Sequence, residues 1–190
     1  MKEIVLLASG SGSNVENIIN YFEGHKRIKV SCVLTNKANA PVLARCKRLG
    51  TPALYFNRNA FTESNIVLEL LKSLNPALII LAGFLWKIPE HIIQAFPNGI
   101  INIHPALLPK YGGKGMYGNA VHQAVKNNGE EETGITIHYV NEHYDEGTII
   151  QQEKVKLNKE DTLESIAKKV HTLEYDHFPM VIEKLLLYNG

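Results

Sequence analysis

Cysteine is almost absent from this chain. Cys32 and Cys46 are the only two in 190 residues, and their spacing matches no metal-binding or redox motif. Both read as small, reduced, apolar residues of a cytosolic protein. An excess of charge is also missing, because 20 Lys and Arg against 19 Asp and Glu leave a net charge of +1. Nothing in that balance suggests a broad basic face for nucleic acid or an anionic membrane. An anionic small molecule would have to be held by local donors. No apolar run approaches the roughly 20 residues that a membrane helix needs. Met1 leads straight into an apolar strand at Ile4, which reads as leaving no room for a signal peptide. Repeats, linkers and low-complexity tracts are lacking as well. What remains is an ordinary globular composition, 45% hydrophobic and 21% charged, long enough to bury one real core. The expectation is a cytoplasmic single domain.

Hydrophobic patterning then orders the chain. Ile4–Ala8 is a short continuous apolar run of the kind found in buried parallel strands. A helix is expected over Val15–Phe22, a strand over Lys29–Thr35, a helix over Pro41–Leu49 closed by Gly50, and a short strand over Ala53–Phe56. Asn65–Leu74 carries a helical stripe that Asn75-Pro76 stops. Leu78–Ala82 reads as a strand, Pro89–Phe96 as a short helix and Ile100–His104 as another strand. This alternation predicts an α/β fold with a doubly wound, mostly parallel, Rossmann-like sheet. Beyond Pro105 the pattern changes. Lys110–Gly118 holds four glycines and no periodicity, so a mobile loop is expected. Asn119–Asn128 reads as a helix, Thr136–Val140 and Thr148–Val155 as strands of an antiparallel extension, and Thr162–Leu187 as a helix interrupted near Pro179.

Three stretches carry candidate chemistry. Ser9-Gly10-Ser11-Gly12-Ser13-Asn14 joins a strand to a helix, a place where backbone N–H groups converge on an anion. Val15 stands where the dinucleotide fingerprint needs a small residue, and Thr35-Asn36-Lys37 offers no acid for a ribose, so a monophosphate fits better than a dinucleotide. The alternative is a tight turn before an ordinary helix. In Ile100–Tyr111, Asn102 and His104 are two residues apart, which puts both side chains on one face at the C-terminal lip of a strand. An amide donor beside an imidazole suits acyl transfer, although a polar strand end capping a loop has the same pattern. Asp145 lies on the turn within Gly134–Ile150. Brought against His104, its carboxylate would raise the imidazole's proton affinity, yet Asp before Gly147 is also plain turn chemistry.

Taken together, these stretches resemble the folate-dependent formyltransferases. The resemblance covers Ser9–Asn14, Asn102-Ile103-His104-Pro105 with Leu107-Leu108-Pro109, and Gly134–Ile150, and it extends over essentially the full length. It implies formyl transfer from 10-formyltetrahydrofolate, a co-substrate, to an amine, with no metal. Asn102, His104 and Asp145 would form the catalytic group. Ser11, Gly12, Ser13 and Asn14 would take the phosphate of a ribonucleotide acceptor, and Glu174 with Pro105 its ribose and amine end. Folate would lie against Leu85, Trp86, Ile88, Val140, Asn141, Tyr144 and Asp145. Residues 1–100 would then be the phosphate-binding half of one domain, and residues 101–190 the catalytic and folate-binding half. The partners implied are small molecules, with no nucleic acid and no membrane, on a monomer or weak homodimer. Without the resemblance, Glu174 reads as a solvated helix residue, and Leu85 and Ile88 as plain core. His122 is a candidate that reads more simply as helix surface, and His25, His91, His138, His143, His171 and His177 have no ligand spacing.

Rival functions are set apart by the same residues. A formyltransferase acting on a sugar amine or on methionyl-tRNA fits the glycine loop less well, and a nicotinamide-dependent oxidoreductase is opposed by Val15. A non-catalytic phosphate sensor has no use for Asn102, His104 and Asp145. If an imidazole titrates during turnover, activity is expected to fall on the acid side.

Overall fold

The computed structural model describes residues 1–188. Seven strands and seven helices follow one another as β1 (Lys2–Ala8), α1 (Ser13–Tyr21), β2 (Ile28–Thr35), α2 (Pro41–Arg48), β3 (Ala53–Tyr55), α3 (Arg58–Thr62), α4 (Ile66–Leu74), β4 (Leu78–Leu81), α5 (Glu90–Ala95), β5 (Ile100–His104), α6 (Asn119–Asn127), β6 (Glu132–Tyr139), β7 (Ile149–Lys156) and α7 (Leu163–Tyr188). The strands hydrogen-bond in the order β3-β2-β1-β4-β5-β6-β7. β1 pairs in parallel with β2 and with β4, β2 pairs in parallel with β3, and β6 and β7 are antiparallel. This is the α/β architecture that the alternation of apolar runs and amphipathic segments predicts.

The chain divides into two compact units, Met1–Ile101 with the segment from Ile182 onward, and Asn102–Val181. In the first, β1 is central. Ile4, Val5, Leu6, Leu7 and Ala8 are at most 1% exposed, because helices on both faces of a parallel sheet leave no polar side for alternation. Phe56, Phe61, Phe84 and Trp86 form an aromatic cluster with centroid separations of 5.0–6.4 Å. In the second unit, the paired strands β6 and β7 carry a sheet face, and Ala106, Val121 and Val125 form a small core against which Tyr111, Met116 and Leu157 pack.

Three sequence expectations are corrected. Helix α3 is short and was not expected; Asn57 starts it by accepting the N–H of Ala60 on its side-chain oxygen at 2.9 Å, which is the capping chemistry that marks a helix start. Strand β6 begins at Glu132 rather than Thr136, running through Gly134. A Cβ on that glycine would lie 1.9 Å from the carbonyl oxygen of Glu153, so the glycine admits the neighbouring strand instead of ending its own. Helix α7 passes through Pro179 without interruption. Proline removes one helical hydrogen bond, but Phe178, Val181 and Ile182 around it are at most 3% exposed, so burial on that face outweighs the loss. Among the described residues, no helix is long and apolar enough to cross a membrane.

Candidate active site

The second unit gathers four polar side chains from three separate segments. His104 closes β5 and is 3% exposed. Its Nε2 lies 2.7 Å from the Tyr111 carbonyl oxygen, and its Nδ1 lies 3.5 Å from Oδ2 of Asp145. A carbonyl only accepts, so Nε2 carries the hydrogen. Nδ1 is then the titrating atom, and it faces a carboxylate. Burial is the largest influence on this imidazole and pushes its proton affinity below that of an ordinary histidine. Asp145, the Tyr111 carbonyl and Glu174 favour the charged ring, while His138 opposes it. The ring is therefore neutral at rest and surrounded by groups that stabilise it once it gains a proton.

Asp145 sits in a left-handed backbone conformation, φ 57°, at the turn after β6. Its Oδ2 also accepts the N–H of Gly113 at 2.9 Å, and its Oδ1 lies 3.7 Å from Nε2 of His138. Burial alone would raise this carboxyl group. The charged forms of His138 and His104, with the Gly113 N–H, outweigh burial and hold it below the usual carboxylate range. Asp145 is thus an ionised carboxylate in a nearly closed setting, where its field is weakly screened.

Asn102 is half-buried on β5, and its Nδ2 lies 3.2 Å from His138 Nε2. Nδ1 of His138 is 2.9 Å from the Tyr139 carbonyl and so carries the hydrogen, which leaves Nε2 to accept from the Asn102 amide. That contact fixes which way the amide points and leaves its second N–H available. Sequence reasoning missed this role for His138, which is 2% exposed. The available signal was the strand period, since Thr136 and His138 share one face of β6. Thr136 staples the intervening segment, donating to the Ala106 carbonyl at 2.7 Å and accepting the Leu108 N–H at 3.0 Å, while Pro105 stands half-buried beside His104.

Helix α7 brings a further cluster. Glu174 is 5% exposed, not solvated, and accepts from His171 Nδ1 at 2.8 Å. That contact raises the proton affinity of His171. His122 is also buried, 3% exposed, contrary to the surface position expected. It shares a face of α6 with Val121 and Val125, because residues one and four apart fall within one helical stripe.

In the first unit, Ser9–Asn14 follows β1 directly. Ser9 ties the loop down, its Oγ accepting the N–H of Leu85 at 2.9 Å and its own N–H donating to Gly83 at 3.0 Å. Gly12 is the N-cap of α1 with φ 75°, and a Cβ there would stand 2.3 Å from Cγ2 of Val42. Glycine is required twice over, by conformation and by contact. Gly12, as N-cap, has no side chain with which to cap α1. Glu16 in that turn is paired with Arg45 and Arg48, which hold its carboxyl below the usual range and cancel its repulsion of an anion. Ser11 is exposed, Ser13 half-buried and Asn14 buried. Of the expected folate residues, Leu85 is exposed and Trp86 half-buried, with the Arg58 guanidinium 5.3 Å above its ring. Ile88 is 4% exposed. In the second unit Val140 and Asn141 are half-buried and Tyr144 is exposed. Among the described residues, no group of three His, Cys, Asp or Glu is arranged to hold a metal ion.

Comparison with known proteins places the chain in a family. The formyl transferase family model matches residues 2–182. The phosphoribosylglycinamide formyltransferase of Haemophilus influenzae is 37% identical over 188 residues, 96% of this chain and 86% of the relative. That of Bacillus subtilis is 36% identical over 197 residues, covering 100% of this chain and 97% of the relative. The crystal structure of phosphoribosylglycinamide formyltransferase from Anaplasma phagocytophilum superposes with a TM-score of 0.88 at 31% identity, over 97% of this chain and 86% of that one. The chain belongs to the formyl transferase family, among its phosphoribosylglycinamide formyltransferases.

Proposed function

We propose that this protein transfers the formyl group of 10-formyltetrahydrofolate to the amine of glycinamide ribonucleotide, giving formylglycinamide ribonucleotide and tetrahydrofolate in purine synthesis. The observation that carries the mechanism is the His104–Asp145 arrangement, a neutral imidazole whose free nitrogen faces an ionised carboxylate at 3.5 Å. The substrate amine attacks the formyl carbon, forming a C–N bond and placing negative charge on the formyl oxygen. The attacking nitrogen passes its proton to His104, and Asp145 stabilises the imidazolium that forms. Asn102 and that imidazolium favour the developing oxyanion. The same proton then goes to the folate nitrogen as its bond to the formyl carbon breaks, so no covalent intermediate on the protein is needed.

In this proposal Ser11, Gly12, Ser13 and Asn14 hold the 5′-phosphate through backbone N–H groups at the start of α1. Glu174 and Pro105 receive the ribose and glycinamide end. Leu85, Trp86, Ile88, Val140, Asn141, Tyr144 and Asp145 meet the folate. Residues 1–100 and 101–190 are the two halves of a single catalytic domain, which works in the cytoplasm as a monomer or weak homodimer. The test is formyl transfer by the purified protein with both substrates, followed as release of tetrahydrofolate. Turnover that disappears in His104→Ala and Asn102→Ala, with ribonucleotide binding kept, is the expected result. Absence of turnover in the unaltered protein rejects the reaction.

A further inference from the structure

We propose that Tyr111 is a positioning residue, a strut that ties the His104 imidazole to an anchor at Glu130. The inference rests on the reading above, in which His104 is the reacting imidazole. Tyr111 has φ 59°, a left-handed conformation that is strained for a residue with a Cβ and persists only where the surroundings hold it. Its surroundings do so at both ends.

At the outer end, the phenol donates to Glu130 Oε1 at 2.8 Å and accepts from Asn128 Nδ2 at 2.8 Å. Lys110 holds the Glu130 carboxylate through both oxygens, at 3.0 and 3.2 Å. The ring body packs on Ala106, Val121 and Val125. At the inner end, the carbonyl of the same residue takes the Nε2–H of His104 at 2.7 Å. Two residues on, the N–H of Gly113 donates to Asp145. Between them, Gly112 leaves no slack, since a Cβ there would lie 2.7 Å from Cδ2 of Leu108 and 3.3 Å from Cβ of Asp145. One short stretch of backbone therefore orients both members of the proton-handling pair, and its position is set at the turn between α6 and β6.

The consequence is chemical. By occupying Nε2, the Tyr111 carbonyl assigns proton uptake to Nδ1, the atom that faces Asp145. Freed from Glu130, the strained residue relaxes and its carbonyl leaves the ring. His104 then loses a group that favours its charged form and keeps the opposing influence of His138, with only Asp145 and Glu174 to balance it.

The test uses the full chain and three variants, Tyr111→Phe, Glu130→Ala and Glu130→Gln, with two readouts. One is the NMR titration of the His104 ring; the other is kcat and KM for formyl transfer. Tyr111→Phe and Glu130→Ala are expected to move the His104 titration down by about half a pH unit. They are also expected to lower kcat about tenfold, with the ribonucleotide KM within about twofold of its original value. Glu130→Gln keeps an oxygen that accepts from the phenol and recovers most of both losses. A folded Tyr111→Phe or Glu130→Ala protein whose His104 titrates as before overturns the strut, even if it melts at a lower temperature. A shifted titration in a protein that transfers no formyl group keeps the strut and rejects the reaction instead.

Discussion

Ser9–Asn14 and the cluster of Asn102, His104, His138 and Asp145 are polar sites made in opposite ways. The loop is six consecutive residues that, in the proposed function, work through backbone atoms whose placement is set by the φ of Gly12 and the start of α1. The cluster is made of side chains from β5, β6 and the turn after β6, held by contacts at 2.7–3.7 Å. A backbone site tolerates loss of a side chain and fails when a conformation is denied. A side-chain site fails when a single atom is changed. The contrast between the two regions can be broken by mutation.

The largest effect belongs to the cluster. His104→Ala and Asp145→Asn are each expected to lower kcat by about 10³-fold, within the usual range for a lost proton-transfer group. Binding of the ribonucleotide, measured by calorimetry, stays within about threefold. Weakening of binding as severe as the loss of turnover would show that these side chains hold substrate rather than move protons.

Next comes Gly12→Ala, the loop's weak point. The new methyl group meets Val42 at 2.3 Å and the backbone must keep φ 75°, so α1 or α2 has to shift. The ribonucleotide KM should rise at least tenfold, and the protein should lose about 2 kcal/mol of stability by denaturant titration. An alanine variant with wild-type KM would remove the loop from phosphate binding.

The pH dependence separates the two regions more finely. His104 stays neutral to lower pH than an ordinary histidine, because burial is its largest influence. Its proton-accepting form is present above the ordinary value of about 6.5 and is lost as pH falls through the depressed value. The acid limb of kcat is therefore expected below about pH 6.5. Asp145 lies below the usual carboxylate range and stays ionised across that limb. Stability follows the same sign for His104, since the unfolded chain binds the proton first, so its contribution is lost as pH falls. The His171 proton affinity is raised by Glu174, so its contribution is present below about 6.5 and lost as pH rises through the higher folded value. A rate profile flat from pH 5 to 8 would count against a titrating imidazole, and one with no acid limb at any lower pH at which the protein stays folded would remove it from the reaction.

The contrast also explains what was legible beforehand. The loop could be read from sequence because its parts are consecutive, and the strand order followed from apolar runs such as Ile4–Ala8 and Leu78–Leu81. Asn102 and His104 could be paired because a strand's period of two is local information. Asp145 lies 41 positions after His104, and only resemblance joined them. The roles of His138 and Tyr111 and the burial of His122 were missed because they arise from packing between separate segments, which no single stretch encodes. Helix α3 escaped for a smaller reason: five residues hold too little periodicity to outweigh the loop signals around Asn57 and Asn59.

The smallest expected effect sharpens the comparison most. Ser11 is exposed, and its backbone oxygen, not its side chain, accepts from Arg45 Nε at 2.7 Å. If the phosphate is held by amides at the start of α1, removing the hydroxyl in Ser11→Ala costs at most one neutral hydrogen bond partly replaced by water, about 0.5 kcal/mol. The ribonucleotide KM should then rise by no more than about threefold, with kcat unchanged. A tenfold rise would mean that the hydroxyl, and not the peptide geometry, carries the contact, and the loop would join the cluster as a site built from side chains.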